Sequence, residues 1–237
     1  MKIQRFFFRL APLAQDELLS GKIVVDDKDL IHQWRNVFRM KAGDEIVLLD
    51  NSGFEYPAKF VVLEKKSVEF EILNKIKNEV VPKREVVLYQ SLIKKDKFEW
   101  VVQKATELGV SEIVPLLSER SEKKDLNMER LAIITREAAE QSGRGTMPRL
   151  NEIKRLAEIL DGIKNCCVVF DFSGIPFSNF SERSTLNALR CFVGPEGGWS
   201  PGELDLFKSK NIPVVSLGSM TLRAETSAVA VASLLLL

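Results

Sequence analysis

Hydrophobic and polar positions alternate with a period of two through the first part of the chain and then shift to the longer period of helices. The stretches Glu45-Ile46-Val47-Leu48-Leu49, Tyr56-Pro57-Ala58-Lys59-Phe60-Val61-Val62-Leu63 and Ser67-Val68-Glu69-Phe70-Glu71-Ile72-Leu73 have the length and pattern of short strands. Asn51-Ser52-Gly53 and Glu64-Lys65-Lys66 supply the turns between them. Strands this short at this spacing predict a small antiparallel barrel. The charged stretch 74–84, with Pro82 inside it, breaks the pattern and reads as a linker. This gives two expected domains, 1–75 and 76–237.

In the second of these, strands and helices alternate. Residues 86–90 read as a strand, and Phe98, Val101, Val102, Ala105 and Leu108 then fall on one face of a helix that Gly109 ends. Residues 112–117 read as a strand and 127–141 as a helix, and the apolar runs at 168–171, 192–193 and 214–217 read as further strands. Such alternation predicts an α/β domain, a largely parallel sheet with helices on both faces.

Two loops in the last third follow short apolar strands. In Gly194-Pro195-Glu196-Gly197-Gly198-Trp199-Ser200-Pro201-Gly202-Glu203, Ser200 suits a helix N-cap, Pro201 the first helical position and Glu203 the return arm of a capping box. The glycines before it suit either a tight turn or a backbone that must approach a ligand. In Leu217-Gly218-Ser219-Met220-Thr221-Leu222-Arg223-Ala224-Glu225-Thr226, Arg223 and Glu225 stand at the start of an apolar helix. They suit either an exposed ion pair or a site at the carboxyl end of a strand, where open α/β sheets bind ligands. If the two loops leave neighbouring strands, they wall one pocket.

Composition narrows the choices. With 45% hydrophobic and 28% charged residues, the 237-residue chain has the apolar surface for a core. A net charge of +1 is silent on nucleic acid, which is bound by local patches. The first ten residues lack the apolar run of a signal peptide, and the longest apolar stretch, 228–237, falls well short of the roughly 20 residues that span a bilayer. With three cysteines, two of them adjacent in an apolar run, a cytoplasmic protein with no membrane association is expected. A single histidine, His32, and no Cys-x-x-Cys pair leave no expected metal site. Dinucleotide and triphosphate loops are missing, as is a Gly-x-Ser-x-Gly elbow, which sets aside the nucleotide-binding and hydrolase classes.

Together, Val193-Gly194-Pro195-Glu196-Gly197-Gly198-Trp199-Ser200 and the loop 217–226 resemble the paired cofactor loops of the SPOUT methyltransferases, and in particular the RsmE family. The resemblance extends to Arg5-Phe6-Phe7, to His32 through Val37 with Arg39, Gly43 and Asp44, to Lys104-Ala105-Thr106-Glu107-Leu108-Gly109-Val110, and to Arg136-Glu137-Ala138-Ala139-Glu140-Gln141-Ser142-Gly143-Arg144. Phe38, Trp199 and Ser227 depart from the family's usual Leu, Phe and Ala. The resemblance implies an N-terminal PUA-like β-barrel that binds RNA, then a SPOUT α/β domain ending in a trefoil knot. It further implies a homodimer, S-adenosylmethionine as cofactor without a metal, and methylation of N3 of the uridine at position 1498 of 16S rRNA in the small ribosomal subunit, with no DNA partner.

The same resemblance assigns cofactor binding to Val193, Gly194, Gly198, Ser216, Leu217, Gly218 and Leu222, and catalysis to Arg223 and Glu225. A uracil N3 attacks only after losing its proton, so Arg223 is expected to stabilise the negative charge that develops on the uracil oxygens, with Glu225 orienting it. For RNA, the candidates are Arg5, Arg9, Arg39, Lys95, Arg136 and Arg144, in basic clusters that include Lys2, Lys94, Lys97 and Arg149. Arg136 and Arg144 are expected on one helix face, while Phe6, Phe8 and His32 read as structural. Two other readings stand beside this one. A non-catalytic RNA-binding protein is disfavoured by the intact loops, and an enzyme acting on a small metabolite leaves the basic clusters unexplained.

Overall fold

The computed structural model describes residues 3–9, 21–163, 166–180 and 188–237. Its contacts divide the chain into two compact units, 1–81 with 139–147, and 82–138 with 148–237.

The first unit is built on a mixed six-stranded sheet. Its strands are β1 (Arg5–Phe7), β2 (Lys22–Val25), β3 (Glu45–Leu49), β4 (Phe54–Leu63), β5 (Val68–Ile72) and β6 (Ile76–Lys77). They lie in the order β1-β3-β4-β5-β2, with β6 on β4; β1 runs parallel to β3 and the other pairs are antiparallel. The pairing of β6 with β4 places the start of the expected linker inside this unit, whose first segment runs to Val81. Alternation along the strands turns Phe6, Ile46, Leu48, Phe60 and Phe70 to one side, where they enclose the fully buried Trp34. Phe6, Phe60 and Phe70 meet the Trp34 ring edge-on at 5.1 to 5.8 Å between centroids. Phe7, Val47 and Leu49 on the other side pack on Ala139 and Met147, which explains why 139–147 belongs to this unit.

The second unit is a wholly parallel sheet: β7 (Glu85–Ser91), β8 (Glu112–Leu117), β9 (Arg149–Leu150), β10 (Lys154–Arg155), β11 (Cys167–Pro176), β12 (Ala188–Val193) and β13 (Val214–Ser216). The order is β10-β8-β7-β12-β11-β13, with β9 also on β8. From β7 the chain builds outward through β8 to β10, then resumes on the opposite side with β11, so the strand order reverses between β7 and β12. Such a switch point leaves a crevice at the carboxyl ends of the strands.

The helix Lys95–Leu108 buries Phe98, Val101, Val102 and Ala105 against Ala228, Val231, Ala232 and Leu235 of the helix Ala224–Leu236. It ends on Gly109 in the left-handed conformation, as its sequence required. Each of the larger of these side chains contributes about 1.5–3 kcal/mol by burial. That packing fixes the starts of two helices, at Lys95 and Ala224, near the crevice.

Candidate functional site

The ends of three strands and the middle of a fourth meet at one cavity of about 620 Å³. Its wall takes Lys94 and Lys97 after β7, Phe170, Asp171 and Phe172 from β11, Val193 to Glu196 with Gly198 and Trp199 after β12, and Leu217, Gly218 and 220–225 after β13. The two glycine loops do share a pocket, but they do not leave neighbouring strands. β11 runs between β12 and β13, and its middle, where the pairing with β13 shifts register, adds Phe170, Asp171 and Phe172 to the wall.

The loop after β12 is held on several sides. The Trp199 indole N–H donates to the Phe170 carbonyl at 3.1 Å, and Glu196 accepts the Lys94 backbone N–H at 3.3 Å. Glu196 therefore ties its loop to the end of β7. The expected capping box is present: Ser200 Oγ accepts from the Glu203 N–H at 3.1 Å, and the Glu203 carboxylate accepts from the Ser200 N–H at 2.8 Å. A Cβ on Gly194 would stand 3.3 Å from the buried Trp199 ring, closer than most side chains tolerate. Gly194 is thus required by the close approach of an indole.

The loop after β13 has another character. Gly218 takes φ +136°, and no atom lies within 4 Å of where its Cβ would be, so the glycine is there for its backbone angle and leaves open space. Arg223 is exposed and sits at the N-cap position of the last helix without capping it through its side chain. Glu225 lies in the first turn of that helix and is buried, at 8% exposure. A carboxylate there is favoured by the helix dipole. Its ionic partner is Lys97, at 3.6 Å. Arg223 and Glu225 form no ion pair with each other within 4.0 Å, which corrects the expectation that one orients the other: side chains two positions apart at a helix start do not face each other.

Of the residues expected to bind a cofactor, Val193, Gly194, Gly198, Leu217, Gly218 and Leu222 line the cavity, together with Arg223 and Glu225. Ser216 is buried at the end of β13 and does not line it. Sequence reasoning did not assign Asp171 or Phe172 to the site: Asp171 closes the run 168–171 that signalled β11, and Phe172 follows it. It also placed Lys94 and Lys97 in a basic cluster offered to RNA and not at the cavity.

The chemistry of the wall fits S-adenosylmethionine. Phe170, Val193 and Leu222 offer apolar surface, while Asp171, Glu196 and Glu225 offer negative charge to a sulfonium and an ammonium group. The basic side chains Lys94, Lys97 and Arg223 suit its carboxylate and an anionic acceptor. Among the described residues, no group of three or more His, Cys, Asp or Glu is placed to hold a metal ion. Among the described residues, no helix is long and apolar enough to cross a membrane.

The basic residues expected at RNA are placed elsewhere. Arg5 is half-buried and pairs with Glu55 at 3.0 Å, Arg9 stacks its guanidinium over Phe8 at 5.3 Å, and Arg39 is exposed with φ +54°. Arg136 is half-exposed on the helix Met128–Ser142, and Lys95 opens the helix Lys95–Leu108. Lys2 falls outside the described residues. Arg144 is the correction in this set. At 4% exposure it is buried in the first unit, its guanidinium pKa brought down to about 10 by desolvation, so it shares no exposed helix face with Arg136. Gly143, with φ +82°, ends the helix before it and turns it inward. Phe6 is core as expected; His32 is exposed and structural only in closing a short helix.

The sequence matches the family described as RNA methyltransferase domain over residues 81–236, and the RNA methyltransferase PUA domain over residues 35–73. It is 31% identical to Ribosomal RNA small subunit methyltransferase E of Rickettsia conorii, over 97% of this chain and 93% of that protein. Identity to the protein of the same name from Bacillus subtilis is 28%, over 95% of this chain and 93% of the relative. Among solved structures, the Ribosomal RNA small subunit methyltransferase E from Neisseria gonorrhoeae bound to S-adenosyl methionine is 30% identical. It superposes with a TM-score of 0.85 over 98% of this chain and 96% of that one.

Proposed function

The chain belongs to the ribosomal RNA small subunit methyltransferase E family, and from that membership we propose that it methylates 16S rRNA with S-adenosylmethionine, at N3 of the uridine at position 1498. The observation that carries this reading is the cavity at the strand ends, with both glycine loops and the Lys97–Glu225 pair in its wall.

When bound, S-adenosylmethionine supplies a methyl group already activated on a sulfonium, so its C–S bond breaks as the new C–N bond forms. The residues have positioning and electrostatic work left to do. Val193, Gly194, Gly198, Leu217, Gly218 and Leu222 would hold the adenosine and methionine parts, with Ser216 supporting the start of the second loop from beneath. Arg223, exposed at the mouth, donates charge-assisted hydrogen bonds to the uracil oxygens as N3 gives up its proton. Glu225 is held by Lys97 beside it and gives the pocket a fixed negative charge.

In the same reading the N-terminal domain, assigned to 1–75, closes as a PUA-like barrel that grips RNA, and the domain assigned to 76–237 threads its last segment as a SPOUT trefoil knot. Two copies pair as a homodimer in the cytoplasm, acting within small-subunit biogenesis. Arg5, Arg9, Arg39, Lys95 and Arg136 contact the rRNA; the burial of Arg144 gives it a structural place instead. The test is incubation of the purified chain with methyl-labelled S-adenosylmethionine and small ribosomal subunits lacking the modification. Label in 16S rRNA is expected, and saturable cofactor binding without any label in RNA would overturn the assignment.

A further inference from the structure

The four residues Ser118-Glu119-Arg120-Ser121 follow β8 and contribute nothing to the cavity wall, yet they reach past β7 to the loop that follows β12. They form a closed turn: the Ser121 N–H donates to the Ser118 carbonyl at 3.1 Å, the two hydroxyls meet at 2.8 Å, and both serines are buried. From this turn the Arg120 guanidinium donates to the Gly197 carbonyl at 2.8 Å. The Glu119 backbone N–H donates to the Glu203 carboxylate at 2.9 Å, and Glu203 itself is only 4% exposed. Glu203 therefore accepts from two backbone N–H groups, one in its own helix cap and one in the neighbouring turn.

Gly197 completes the fit. A Cβ there would stand 3.4 Å from the Arg120 Cβ and 3.5 Å from its Cδ, so the arginine stem lies flat across the glycine. The 194–199 segment is thus fixed at Trp199 by Phe170, at Glu196 by Lys94, and at Gly197 by Arg120. The first two anchors belong to residues of the cavity wall and the third does not.

We infer that Arg120 is a positioning residue of the cofactor site: it holds the Gly197 carbonyl and with it the register of the loop that receives S-adenosylmethionine. The inference rests on the methyltransferase reading above. A loop free to move must be ordered when the cofactor binds, and that cost appears in affinity. Because Arg120 is exposed, its removal leaves the core untouched, and the hydrogen bond is worth less than a buried one.

The experiment is calorimetric titration of S-adenosylmethionine into the wild-type chain, Arg120→Ala and Arg120→Lys, with thermal melts and rRNA methylation kinetics on each. Arg120→Ala is expected to weaken cofactor binding roughly three- to tenfold, with an unchanged melt and an unchanged KM for the RNA substrate. Arg120→Lys, which keeps a donor but not the planar fork, is expected to recover part of the loss. Equal cofactor affinity in wild type and Arg120→Ala overturns the inference. So does a raised RNA KM with cofactor affinity intact, which makes Arg120 an RNA contact. A wild-type chain that binds no S-adenosylmethionine overturns the methyltransferase reading itself, and the positioning role with it.

Discussion

The carboxylate of Glu225 meets the ammonium of Lys97 at 3.6 Å, although Arg223 stands two residues away in the same chain segment. The pair joins the first turns of two helices, Lys95–Leu108 and Ala224–Leu236, whose apolar faces pack on each other. Helix packing therefore sets the charge arrangement at the pocket, and Arg223 is left at the mouth for substrate.

Removing the partner of Glu225 is expected to lower turnover without unfolding the chain. For Lys97→Met, kcat should fall about tenfold, since a carboxylate that loses its partner no longer keeps one orientation. The melting temperature should change little, because Lys97 is half-exposed and its pairing is screened. Single-turnover methylation and a thermal melt on the same preparation check both parts.

For Arg223→Ala, loss of a group aimed at developing negative charge is expected to cost about 10²-fold in kcat, with cofactor affinity unchanged within about twofold. Arg223→Lys should recover only part of the rate, because a point charge does not reproduce two donors in a plane. Full activity in Arg223→Ala with cofactor binding intact removes the residue from the reaction.

Substitutions at the two loop glycines should fail for different reasons. In Gly194→Ala the added methyl meets the Trp199 ring at 3.3 Å and displaces the indole or the loop. In Gly218→Ala there is room, but φ +136° is an angle that a side chain resists, at a cost of about 1–3 kcal/mol. Both variants should bind S-adenosylmethionine more weakly. The distinguishing signal is Trp199: its fluorescence should change in Gly194→Ala and stay as in wild type in Gly218→Ala.

The buried thiols make stability fall at alkaline pH. Burial pushes the Cys167 thiol up to about 11 from an ordinary 9.0 and raises Cys191 as well, so both remain protonated in the fold while the unfolded chain ionises. Because the folded values are raised, the contribution is complete below pH 9.0 and is lost as pH rises towards about 11. Urea midpoints measured at pH 8 and pH 10.5 should fall with pH, and Cys191→Ala should flatten the drop. An equal drop in that variant assigns the effect to other groups, of which Tyr56 and Tyr89, also raised by burial, act in the same direction.

Much of the fold was legible because it is written locally. The strand Glu112–Leu117, the Gly109 cap and the box of Ser200 with Glu203 depend on residues within a few positions of one another, and each stands where the pattern put it. What the pattern could not carry was pairing at a distance. No periodicity says that β11 runs between β12 and β13, that β1 lies parallel to β3, or that Ala139 and Met147 pack beneath Phe7. The site followed the same division. The loop residues were visible in their motifs, while Asp171 and the pairing of Lys97 with Glu225 come from strands and helices brought together by the sheet. Arg144 was misplaced because position along a helix does not reveal that the chain turns inward after Gly143.

The central claim is that this chain methylates one uridine of 16S rRNA, and the most direct measurement is mass-spectrometric mapping of 16S rRNA from cells with and without it. The expected result is loss of N3-methyluridine at position 1498 in the deletion, restored by the wild-type chain but not by Arg223→Ala. Unchanged N3-methyluridine at that position in cells lacking the chain would contradict the account.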